Sequence, residues 1–161
     1  MSHKADFNAE EWSLLTEAPP LAGMLVITAE KGGTLRESLA IGKTYAEARQ
    51  QHSGTDLLDE LLASNPSVER GQYSSPEELR TGVSEKLRQA SALVDEKASP
   101  EEASAYKKFI LDIAQRAAER HKSGGFAGIG GKSVSDAEAA ALAEIAAALD
   151  VPYPPPGQPA A

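Results

Sequence analysis

Five carboxylates stand beside two glycine-marked turns, in a pattern that could bind a cation. They are Glu30 and Glu37 in the first half of the chain and Glu119, Asp136 and Glu138 in the second. Hard divalent cations such as Ca²⁺ and Mg²⁺ take oxygen ligands, and two such turns facing each other would supply a ligand set. The same residues also have a structural reading, which weighs more. Glu37 and Glu138 each follow a hydroxyl residue, Thr34 or Ser135, at the spacing of a capping box. Asp136 would complement the positive end of a helix. No Asp-x-Asp-x-Asp-Gly calcium loop occurs in the chain.

The second candidate is the glycine-rich stretch 123–138, with five glycines among the eight residues 124–131. Glycine lets a backbone take positive φ and approach another group closely. Gly130, Gly131, Lys132 and Ser135, with the N-terminus of the helix that follows, could hold one anion through backbone amides and one ammonium. The Gly131-Lys132-Ser133 end resembles a nucleotide-binding P-loop, but the spacing fails. Phe126 stands where the first glycine is required, and no strand precedes the loop. The simpler expectation is a loop that folds back, with Phe126 and Ile129 covering the bundle.

Nucleophilic and metal-assisted catalysis find little support. The histidines are His3, His52 and His121, with no His-Glu-x-x-His pair among them, and no Gly-x-Ser-x-Gly elbow occurs. His52 and His121 fall near expected helix C-termini, where partial positive charge is favourable. With no cysteine there is no disulfide, thiolate metal site or thiol nucleophile. Trp12 reads as a core anchor, and Tyr45, Tyr73 and Tyr106 form no stacking series for nucleic acid. The expectation is a protein that is not an enzyme.

Composition narrows the class further. A chain of 161 residues, 41% hydrophobic and 25% charged, suits one domain with a real core. Aromatics are scarce at 5%, and alanine carries much of the apolar surface, which favours closely packed helices. A net charge of −8 opposes non-specific nucleic-acid binding, because phosphates select basic faces. No apolar run approaches the roughly 20 residues of a membrane helix. The first residues lack the pattern of a signal peptide, so a cytoplasmic location is expected.

The elements that must position these residues are clearly punctuated. Asn8 caps a first helix with Glu11 as its reciprocal partner, and Phe7 staples against Trp12. That helix is expected to stop before Pro19, with Pro20 opening a second helix that runs to Lys31. Thr34 starts a third, and Thr55 caps a short one containing Leu57, Leu58, Leu61 and Leu62. Ser75-Pro76 and Ser99-Pro100 open two longer helices. Their buried stripes are Leu79, Val83, Leu87, Ala90 and Val94, then Tyr106, Ile110, Ile113 and Ala117. Ser135 opens the last, which buries Leu142, Ile145 and Leu149. The sum is an all-α single-domain bundle of about seven helices over residues 7–150. Residues 1–6 and the proline-rich tail 151–161 are expected to be disordered.

The two halves echo each other. Val26 to Glu30, Gly32-Gly33 and Thr34 to Glu37 match Ile113 to Glu119, the glycine loop and Ser135 to Glu138, suggesting pseudo-repeated helix–glycine turn–helix halves. On these residues the chain resembles the TerB-like, tellurite-resistance type of all-helical bacterial domain. The echoes are Ala29-Glu30-Lys31-Gly32 with Glu37, and Ala118-Glu119 with Val134 to Glu138, covering segments near 21–50 and 105–150. The chain departs from the family's turn in carrying Glu30-Lys31 where an aspartate is usual, and in its glycine-rich insertion. The resemblance implies a helical bundle acting as scaffold or sensor in a stress response, with weak divalent-cation binding at the acidic turns. A protein partner or homodimer fits that role. The alternative is a small-ligand or anion-binding protein using loop 124–135.

Overall fold

Pro19 and Pro20 do not divide the first helix. In the computed structural model, which describes residues 2–29, 45–47, 50, 55–64, 72–123 and 134–154, α1 runs unbroken from Ala9 to Ala29 with both prolines inside. This overturns the expected stop before Pro19. Proline within a helix removes an N–H and strips the carbonyl four residues earlier of its partner, at a cost of about 3 kcal/mol. For Pro19 that carbonyl belongs to Leu15. The hydroxyl of Tyr106, from a neighbouring helix, donates to it at 2.9 Å. Both proline rings are buried, as is every residue from Ala18 to Ile27 except the half-buried Met24. Tertiary burial and one imported hydrogen bond thus overrule the local preference.

Among the described residues four further α-helices follow: α2 Asp56–Ala63, α3 Pro76–Lys97, α4 Pro100–Ser123 and α5 Asp136–Ala148. Residues 45–47 are also helical, and no strand occurs among the described residues. The protein is an all-α single-domain bundle. α1 is its hub, packing against α3, α4 and α5, while α2 lies on α4.

The caps form as the sequence dictates. Asn8 and Glu11 exchange hydrogen bonds of 2.8 Å, and the Phe7 and Trp12 rings lie 6.0 Å apart. Thr55, Ser75 and Ser135 each accept the amide three residues on. The expected stripes of α2 and α3 are buried, together with Tyr106, Ile110, Ile113 and Ala117 of α4 and Leu142, Ile145 and Leu149 at the chain's end. Beside this main core a smaller cluster joins Ile27, Tyr45, Leu62, Ile113 and Ala117. Tyr45 meets Phe109 edge-on there at 5.6 Å.

α5 ends in a Schellman turn. The Val151 amide donates to Ala146 at 3.0 Å and the Asp150 amide to Ala147 at 3.2 Å. Asp150 takes the left-handed conformation, with φ 56°. Val151 and Tyr153 then pack onto the core. At the other end Lys4–Asp6 form a 3-10 turn, and Ser2 is buried.

Candidate functional site

Three elements meet around one cleft of about 320 Å³. The C-terminal turns of α1 contribute Leu25, Thr28 and Ala29. The start of α3 contributes Pro76, Glu77 and Arg80, and the outer face of α5 contributes Ala137, Ala140, Ala141 and Glu144. Local sequence explains the arrangement. Pro76 and Asp136 begin their helices just after the Ser75 and Ser135 caps, so the N-terminal turns of α3 and α5 both border the cleft. Alanines on α5 keep the floor low, because a longer side chain would fill it.

Charge gathers at the rim. Arg80 Nε donates to Glu144 at 2.8 Å, and Ser84 Oγ donates to the other Glu144 oxygen at 3.1 Å. Arg80's side chain stays 68% exposed and Glu144's 29% exposed. An exposed pair of this kind contributes little stability, about 0–1 kcal/mol. It leaves the remaining guanidinium surface open to an arriving group. Chemically the cleft offers an apolar floor, one guanidinium, two carboxylates and the Thr28 hydroxyl, which is itself turned to the Met24 carbonyl at 2.9 Å.

Of the carboxylates and loop residues singled out above, the described ones are not among the residues lining the cleft. Glu30, Glu37, Gly130, Gly131 and Lys132 lie outside the described residues. Glu119 is exposed on α4, where it accepts from Gln115 at 3.3 Å. Asp136 is exposed on the first turn of α5. Glu138 is fully buried and forms the capping box: it accepts the Ser135 amide at 2.8 Å while Ser135 Oγ accepts the Glu138 amide at 3.2 Å. Among the described residues, no three His, Cys, Asp or Glu side chains come together in a way that could hold a metal ion.

Several polar groups missed in the sequence do structural work in the interior. Burial pushes the Tyr106 phenol well up, with Tyr45 adding to it, so the hydroxyl remains a donor. Glu102 is 4% exposed. Burial alone would raise its pKa, but the amides and hydroxyls of Ser2 and Ser99 outweigh that and hold it at about 2. Glu17 behaves likewise: burial opposes ionisation, while Lys86 and Ser13 lower its pKa on balance. Lys107, also buried, pairs with Asp95 at 2.7 Å. The Ser99-Pro100 pair signalled a helix start, and the Glu102 amide donates to Ser99 Oγ there at 3.3 Å. Nothing local linked Glu102 to Ser2 or Arg80 to Glu144, since those pairs join distant parts of the chain.

No described helix is long and apolar enough to cross a membrane. Comparison of the chain with known protein families, characterised proteins and solved structures finds no match.

Proposed function

We propose that this chain is a non-enzymatic helical scaffold or sensor that receives a protein partner at the cleft between α1, α3 and α5. The cleft itself carries the reading. Its alanine floor accepts an apolar side chain, and the half-exposed Arg80–Glu144 pair at its rim can orient a polar one. Interfaces have this form, an apolar centre with a polar rim. The interior polar groups described above are engaged in caps, ion pairs and a helix repair, which agrees with a structural rather than catalytic use.

The resemblance to TerB-like domains extends the proposal. It adds the two related halves, a cytoplasmic stress-response setting, and a divalent cation reaching Glu30, Glu37, Glu119 and Asp136. Its support is the resemblance of the turns alone. Glu138, committed to its cap, is left out of that ligand set.

The test places a photo-reactive residue at Ala140, which is exposed in the cleft, and another at Lys108, exposed on α4. Irradiation in the native cells should give discrete adducts from Ala140 that are absent from Lys108. Adducts that do not differ between the two sites would refute docking at the cleft.

A further inference from the structure

The charge around the cleft is unbalanced, and its sign narrows the partner. Among the described lining residues Arg80 is the single cation, and Glu144 already matches its charge. Both Glu144 oxygens are occupied, one by Arg80 Nε and the other by Ser84 Oγ. Glu77, on the turn before Arg80, is exposed and has no hydrogen bond or ion pair among the described residues. The helix ends tilt the balance further. α1 brings the negative end of its dipole to the cleft, with no basic residue in its last turn. The starts of α3 and α5 bring positive ends, each worth about half an elementary charge. Each carries two carboxylates that outweigh it, Glu77 and Glu78 on α3 and Asp136 and Glu138 on α5. The net charge of −8 on the whole chain acts in the same direction.

We propose that the partner is a basic segment that lays a lysine side chain in the cleft, its stem on the alanines and its ammonium against Glu77. This rests on the reading of the cleft as a docking site and names the occupant. A lysine joins a long apolar stem to a compact charge. Ala137, Ala140 and Ala141 meet the stem, and Glu77 takes the ammonium at the rim. An acidic occupant would instead set its carboxylate beside Glu77 and Glu144, with only a guanidinium that is already paired to receive it. The remaining N–H groups of Arg80 suit the uncharged backbone carbonyls of the segment, so Arg80 positions it without selecting its charge. Complementary charge of this kind speeds encounter and sets specificity more than it sets affinity.

A library of random linear peptides displayed on phage is selected on the full chain. Binders are retested on the double variant Ala137→Leu with Ala140→Leu, which fills the floor without adding charge. Both alanines are exposed and leucine suits a helix, so this variant should fold. Peptides that lose binding to it should be enriched in lysine. One of them, labelled and followed by fluorescence anisotropy, should bind about two- to fivefold more weakly to Glu77→Gln. It should bind more tightly to Arg80→Gln, which removes a repelling charge and frees one Glu144 oxygen. Its affinity should fall as salt rises. Floor-dependent peptides that are acidic or uncharged, or that bind Glu77→Gln as tightly as the unsubstituted chain, would overturn the lysine while docking at the cleft stands. A selection in which no peptide responds to the filled floor would overturn both.

Discussion

Replacing Tyr106 with phenylalanine removes one oxygen from the centre of the bundle and nothing else. The ring is fully buried, so phenylalanine fills the same space and opens no cavity. What is lost is the 2.9 Å hydrogen bond to the Leu15 carbonyl. Pro19 supplies that carbonyl with no amide, so the oxygen is left buried and unpartnered, at about 1–3 kcal/mol. For a chain of this size each kcal/mol lowers Tm by about 2–4 °C, so Tyr106→Phe should cost roughly 2–12 °C. The decisive control is Pro19→Ala, which restores an amide to the same carbonyl. In that background Tyr106→Phe should cost clearly less, with a coupling of at least about 0.5 kcal/mol in a double-mutant cycle read by urea unfolding. Equal costs in the two backgrounds would refute the claim that Tyr106 repairs the helix around Pro19.

Three further outcomes test other parts of the account. Gly82→Ala should gain less than the ~1 kcal/mol that alanine normally adds to a helix. A Cβ at residue 82 would strike Tyr73 Cε1 and lie 3.2 Å from its Cζ, so in Tyr73→Ala the full gain should return in a urea melt. Glu102, held at about 2 against an ordinary 4.5, contributes stability above pH ~4.5 that is lost as pH falls through about 2, amounting to about 3 kcal/mol. Acid titration of unfolding should therefore be markedly flatter in Glu102→Gln, and parallel curves would contradict the assignment. Asp150→Gly should raise stability by up to about 1–2 kcal/mol, because glycine takes the left-handed turn without strain and removes a negative charge from the helix C-terminus. A lower thermal midpoint would show that Asp150 has another role.

Where the sequence led to the right structure, local physical chemistry was strong. The caps at Asn8, Thr55, Ser75, Ser99 and Ser135 rest on hydrogen bonds three residues long, and the stripe Leu79 to Val94 rests on helical periodicity alone. The reading failed at Pro19 because the partner that rescues Leu15 lies on α4, 91 positions away in the chain. Ser2 was hidden for the same reason, since its anchor is Glu102. The cleft was legible only as a run of alanines in α5. Which of them face outward, and that Arg80 stands beside them, depends on how α5 settles against α1 and α3. Glu138 shows the converse case, a candidate ligand whose capping spacing already accounted for the hydrogen bonds it makes.

Docking at the cleft is tested most directly by closing it. Ala140 is exposed on its wall, so Ala140→Arg blocks the floor without entering the core and should leave the thermal midpoint nearly unchanged. Quantitative affinity purification from native cells, comparing this variant with the unsubstituted chain, should show specific partners lost with Ala140→Arg and retained with Lys108→Ala. An identical partner set for all three proteins would contradict the account.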